Sequence, residues 1–186
     1  MPRIDMEKAL QELLDKDAIR ELVLLYSRGV DRKDGSLLRD LYTKDATDSH
    51  GDTFDGPADD YCSFLQNSFP HMPYSGHHVC NHLISVDGDE GHGEVYALAY
   101  HLIPAAYGSC TEDFMAVRYI DNYRREHDGR WRFSKRVVTY DFRIRRPFGD
   151  KNGLNAWPSD PSYQLLPHAL FQRGRRTGRQ TSSNFI

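Results

Sequence analysis

The chain has 186 residues and a net charge of −3, and 39% of its residues are hydrophobic. The length predicts one domain with its own core, and the charge balance gives no case for a nucleic-acid partner. Three cysteines without CxxC spacing argue against a disulfide framework, and no apolar stretch approaches the roughly 20 residues that cross a bilayer. A cytoplasmic protein without a membrane partner is therefore expected.

The N-terminal third predicts helices. Apolar residues recur at spacings of three and four from Ile19 to Val30, with Tyr26 on the same stripe, so residues 17–30 predict a helix. A short helix is predicted over residues 37–42. A third begins at Pro57 and carries Phe64 toward the interior.

Asp31 ends the first of these helices, where the peptide dipoles leave partial negative charge. A carboxylate is disfavoured there. It is either a solvated turn residue or an acid kept for a function, and the residues alone favour the solvated turn.

The middle of the chain changes to the period of strands. Residues 46–54 predict a short edge strand with a turn at His50, and four longer strands follow at residues 77–86, 93–103, 114–125 and 131–144. Helices followed by two consecutive hairpins predict an α+β fold, with the helices packed on one face of a curved antiparallel sheet.

The composition shifts after Pro147, where periodic apolar residues become rare and Arg173, Arg175, Arg176 and Arg179 form a basic run. We expect residues 1–147 to form the domain. We expect residues 148–186 to form an extension that wraps the domain or a neighbouring subunit.

Strand alternation predicts which residues could line a cavity, because every second side chain shares a face. Two alanines in one stripe leave space beneath the helices. The predicted inward residues are His78 with Cys80, His82, Ile84 and Val86; Ala97, Ala99 and His101 with Val95; and Arg136, Val138 and Tyr140. The opposite, outer face is predicted to carry Tyr96, Leu98, Tyr100, Trp131 and Phe133.

Nine histidines raise the question of a metal site. None is spaced with a carboxylate in a ligand pattern such as HExxH, and no nucleotide-binding glycine motif is present, so neither a metal nor a cofactor is expected. An Asp that orients a His could still remove a proton in an apolar cavity without a cofactor.

Three stretches resemble the SnoaL-like branch of the nuclear transport factor 2-like superfamily over roughly residues 9–145. They are Gly29-Val-Asp31 with Tyr26 five residues earlier, His78 ahead of Leu83, and the segment from Trp131 to Arg136. The resemblance implies a cone-shaped α+β barrel, in which a strongly bent sheet wraps around helices and encloses a deep pocket. It also implies that Asp31 orients a catalytic His78, while Tyr26 and Arg136 reach the substrate and His101 is a second acid or base. His77 is the alternative to His78, because a one-residue change of register would swap the two faces of the strand.

The combined interpretation is a cofactor-independent lyase or dehydratase acting on a hydrophobic aromatic or alicyclic molecule. Tyr140, Ala97, Ala99, Val138 and Phe64 are the predicted substrate-binding residues. The alternatives are an isomerase or cyclase, a formaldehyde-releasing lyase on lignin-derived aromatics, and a binding protein or dioxygenase small subunit. Since the predicted outer face is apolar, a homodimer or homotrimer is expected.

Overall fold

The structure is a computed structural model that describes residues 5–148, 160–174 and 176. Within these ranges, no helix is both long and apolar enough to span a membrane.

Three helices precede most of the sheet: α1 (Met6–Asp31), α2 (Gly35–Asp40) and α3 (Ala58–Ser68). Helix α1 begins earlier than the apolar periodicity indicates, because Asp5 caps its first turn through the backbone N–H of Lys8. It ends at Asp31 as predicted. Its C-terminal half contributes Ile19, Leu22, Val23, Tyr26 and Val30 to the core.

Six strands form one bent, open sheet in the order β2-β1-β6-β5-β4-β3. They are β1 (Tyr42–His50), β2 (Asp55–Pro57), β3 (Tyr74–Asp87), β4 (Glu90–Pro104), β5 (Cys110–Arg125) and β6 (Trp131–Phe148). The meander from β3 to β6 is confirmed, and so is the α+β class. The sheet is mixed rather than wholly antiparallel, since β1 lies between β2 and β6 and pairs with β6 in parallel.

Shifts of register in β3 and β6 affect which side chains face the helices. In β3 the pairing with β4 shifts between Val79 and His82, so the strand gains an extra residue there. His77 and Val79 face inward before the shift, and His82 faces inward after it. A second shift in β6, at Ser134, turns both Phe133 and Arg136 toward the interior.

The outer face of the sheet carries apolar residues, although not all of those predicted. Trp131 and Phe133 are buried in the core, because the β6 shift reverses their expected side. The exposed apolar side chains on β4, β5 and β6 are Tyr96, Leu98, Ile120, Phe142 and Ile144.

The described part of the C-terminal extension packs against the end of α1. Arg28 donates to Ser162 Oγ and to the carbonyl of Phe171, and Arg32 forms an ion pair with Asp160 at 2.6 Å. Of the predicted basic run, Arg175 and Arg179 lie outside the described residues. The boundary at Pro147 stays a prediction, and β6 continues one residue beyond it.

Candidate functional site

A cavity of about 60 Å³ lies between the inner face of the sheet and helices α1 and α3. Its polar lining consists mainly of histidine and tyrosine, and the remainder is apolar. The lining residues are Tyr26, Val30, His50, Tyr61, Leu65, Met72, His77, Ala99, His101, Met115, Val117, Tyr119, Val138 and Tyr140.

An aspartate–histidine dyad stands at one side of this cavity. Nδ1 of His77 lies 2.6 Å from Oδ1 of Asp31, and the backbone N–H of His77 donates to Oδ2 at 3.0 Å. Two contacts to one carboxylate fix the imidazole orientation, and a donating Nδ1–H leaves Nε2 as the basic nitrogen. Asp31 is therefore a bonded partner and not a solvated turn residue.

His101 on β4 adds a second imidazole to this dyad. Its Nε2 lies 3.4 Å from Nε2 of His77, and the two rings meet edge to face. Burial lowers the pKa of His101 to about 3, with further lowering by His77. A neutral His101 can donate its Nε2 proton to His77, and this long contact is weak enough for a substrate to displace.

A second dyad, absent from the sequence predictions, stands on β1. Nδ1 of His50 makes a short contact with Oδ1 of Asp48, and Oδ2 of Asp48 accepts from the hydroxyl of Tyr42 at 2.6 Å. The side chain of Asp48 is fully buried. This carboxylate therefore orients His50 as Asp31 orients His77.

Two phenols complete the second dyad on its cavity side. Nε2 of His50 lies 2.9 Å from the hydroxyl of Tyr61 and 3.2 Å from that of Tyr26, and the two hydroxyls are 2.8 Å apart. Burial raises the pKa of both tyrosines well above the usual value, so both keep their protons. Three groups that can hold or pass a proton thus meet at one point.

Arg136 does not line the cavity. Its guanidinium is 0% exposed, makes paired contacts of 2.8 and 2.7 Å with Asp121, and lies 4.2 Å from the ring centroid of Tyr26. The rings of Tyr119 and Phe133 enclose it at similar distances. The implied contact of Arg136 with substrate is therefore wrong, and the residue supports Tyr26 from behind.

Some of the remaining predicted site residues line the cavity and others do not. Tyr140, Val138 and Ala99 line the cavity, whereas Ala97 is buried in the core without lining it. Phe64 does not line the cavity, because it lies on the outward side of α3 and is 38% exposed. His78 is exposed on the outer face, so its predicted pairing with Asp31 is wrong.

Each error has a local cause. His78 was assigned to the inner face because strict alternation puts it on the same side of β3 as His82. The extra residue between Val79 and His82 breaks this alternation, so His78 lies on the opposite face. His50 and Asp48 were missed because their strand is polar and was taken as an edge. Their spacing of two was the available signal, because it puts both side chains on one face of a strand.

Within the described ranges, no group of three or more His, Cys, Asp or Glu side chains is arranged to hold a metal ion. The arrangement nevertheless supports acid–base chemistry, since two oriented imidazoles and two neutral phenols border one apolar space.

Several solved structures share this fold. One is a type 2 hexachlorocyclohexane dehydrochlorinase, with a TM-score of 0.64 and 20% identity, covering 80% of this chain and 97% of that one. Another is a Novosphingobium aromaticivorans protein assigned as a scytalone dehydratase, with a TM-score of 0.63 and 20% identity, covering 75% and 91%. The Kribbella flavida protein Kfla4162 has a TM-score of 0.63 and 24% identity, covering 70% and 93%.

At these identities the structural matches establish the fold alone, and no curated protein sequence matches the chain. The sequence family described as the SnoaL-like domain matches residues 11–137, which include most of α1, strands β1 to β5 and the first residues of β6. That match covers most of the chain and both dyads. The chain therefore belongs to the SnoaL-like domain family.

Proposed function

We propose that this protein is a cofactor-independent lyase that removes a proton from a carbon atom of a hydrophobic ring compound and expels a group from the neighbouring carbon. The observation that carries the proposal is the Asp31–His77 dyad, which orients a basic nitrogen at the wall of an apolar cavity. Structural similarity to a dehydrochlorinase and to a protein assigned as a dehydratase supports the same class of chemistry.

In this proposal His77 takes the proton through Nε2, and Asp31 stabilises the imidazolium that forms. His101 donates to Nε2 of His77 while the cavity is empty and yields that position to the substrate. The apolar side chains of Val30, Met115 and Val117 lower the local polarity, which strengthens the electrostatic contact between Asp31 and the charged imidazole.

The volume of the cavity limits how much of a substrate can enter it. Its volume of about 60 Å³ is well below the roughly 150 Å³ of an engineered cavity that binds benzene. The reacting carbons of an aromatic or alicyclic substrate therefore enter the cavity, and the rest of the ring lies toward the mouth.

The test is exchange of solvent deuterium into the α-carbon of cyclohexanone, followed by NMR. His77→Gln is expected to slow exchange by about 100-fold or more, the typical contribution of a positioned base. The matched control is His78→Gln, which changes the adjacent but exposed imidazole and is expected to exchange at the wild-type rate. Equal exchange by wild type and His77→Gln would remove His77 from the mechanism.

Isomerisation, carbon–carbon cleavage and binding without turnover would use the same cavity. Mass spectrometry of a turnover mixture separates elimination of water or hydrogen halide from release of formaldehyde. Where the mass is unchanged, NMR separates an isomer from substrate that was bound but not converted.

A further inference from the structure

The proposed proton removal uses only one of the two dyads. Asp48, His50, Tyr26 and Tyr61 form a connected set of hydrogen-bonding groups that reaches the same cavity and has no part in that step. A fully buried carboxylate is costly unless it is bonded, and this one is bonded to an imidazole that faces an open space.

The topology puts the two dyads on different sides of the cavity. His50 ends β1 and His77 lies on β3, and three strands separate β1 from β3 in the sheet order. Helix α1 contacts both, because Tyr26 bonds with His50 and Asp31 bonds with His77. Tyr26 and Asp31 are five positions apart on α1, which is about 7.5 Å along a helix. A substrate in the cavity can thus meet one imidazole group at each side.

A count of protons shows what the His50 group can do. When Nδ1–H of His50 donates to Asp48, neutral His50 has only an acceptor at Nε2, and the two phenol protons are used within the group. Protonating His50 adds a donor at Nε2. The phenols can then pass a hydrogen bond along, and one phenol proton is left to point at the cavity.

Resting on the function proposed above, we propose that the Asp48–His50 dyad, acting through the hydroxyls of Tyr26 and Tyr61, is a second proton-transfer site that protonates an oxygen leaving group. The carbon–hydrogen bond breaks toward His77, and its electron pair forms the new double bond. The carbon–oxygen bond breaks, and the oxygen departs as water with the proton supplied by this site. Solvent afterwards takes the proton from His77 and restores the proton of His50, so the net reaction is loss of water.

A second proton-transfer site also restricts the class of substrate. A halide leaves without being protonated, because it is the conjugate base of a strong acid, whereas hydroxide is a poor leaving group until it is protonated. A dedicated proton donor opposite the base therefore points to a hydroxyl as the group that leaves, and to a dehydration rather than a dehydrohalogenation.

The experiment compares two substrates that give the same product. A cyclohexanone bearing a β-hydroxyl and one bearing a β-chlorine both eliminate to cyclohexenone, which is followed by its ultraviolet absorbance above the uncatalysed background. Wild type, His50→Gln, Tyr61→Phe and His77→Gln are assayed on both. His92→Gln is the matched control, because His92 is exposed on the outer face of β4, and circular dichroism checks that each variant is folded.

We expect His50→Gln to slow loss of water by about 100-fold or more, while loss of chloride stays within about threefold of wild type. Tyr61→Phe should lower the same rate selectively, and His77→Gln should lower both rates. If His50→Gln lowers both rates equally or neither, the assignment of the leaving-group proton is overturned and the proton-removal proposal stands. If wild type eliminates neither substrate and exchanges no deuterium into cyclohexanone, both proposals fail.

Discussion

The buried pair between Arg136 and Asp121 allows a quantitative prediction. Asp121→Asn keeps the shape of the side chain and leaves a guanidinium that is 0% exposed without its countercharge. Losing one member of a buried pair costs about 3–5 kcal/mol, because the remaining charge cannot reach water. Burial opposes the charge of Arg136, but Asp121 outweighs it and holds the pKa of Arg136 well above its usual value. The variant removes this support and leaves burial acting against the charge. For a chain of this size the loss corresponds to a fall in Tm of about 6–20 °C.

The assay is urea unfolding followed by the fluorescence of buried Trp131. The double variant Asp121→Leu/Arg136→Met removes both charges and should regain most of the lost free energy of unfolding. Asp141→Asn is the control, since its partner Arg118 is about one-third exposed and the expected cost is below about 1 kcal/mol. A loss below about 1 kcal/mol for Asp121→Asn, or a double variant less stable than the single one, would refute the reasoning.

Three further predictions concern the cavity wall, acid stability and association. Gly51 has φ +56°, and a Cβ added there would lie 2.9 Å from Cδ2 of Tyr140. Gly51→Ala should therefore lose more free energy of unfolding than Gly129→Ala, where φ is +76° and no atom lies within 4 Å of an added Cβ. Equal losses in urea unfolding would contradict the clash. The folded pKa of His101, about 3, is below the roughly 6.5 of the unfolded chain, so the unfolded state binds the extra proton and stability falls as pH drops from about 6.5 toward 3. Between pH 6.5 and 5 this amounts to about 2 kcal/mol, and a His101→Gln variant with the same pH slope as wild type in urea unfolding would contradict it. We also propose that the exposed apolar outer face associates copies of the chain into a dimer or trimer, so Phe142→Lys should lower the mass measured by light scattering, and an unchanged mass would exclude this face.

Most of the fold could be predicted because its signals are local. The apolar spacing on α1 and the alternation of the four long strands directly reflect helical and strand geometry, and the meander follows from short turns such as the one at Gly129. The position of β1 could not be predicted, since its parallel pairing with β6 joins residues about 90 apart in sequence. The sequence of a polar strand does not indicate which buried strand it pairs with.

The candidate site was predicted in part for a related reason. Asp31 was placed correctly at the end of α1 because a helix end is marked in the sequence, and His101 was placed on the inner face because β4 pairs without interruption from Glu90 to Pro104; their roles in the site stay predictions. His78 was preferred to its neighbour His77 because one extra residue in β3 leaves no signature in composition. Arg136 was placed in the cavity because its strand face is correct, but the carboxylate that draws it away lies on the neighbouring strand.

The last turns of α1 have a consequence for regulation. Tyr26 and Asp31 are part of one rigid helix, and the segment containing Ser162 and Phe171 is fastened to that helix through Arg28. The SnoaL-like match ends at residue 137, so this segment lies outside the matched region. It nevertheless contacts the helix whose side chains bond to both His50 and His77, so a change in its position would reach both histidines through α1.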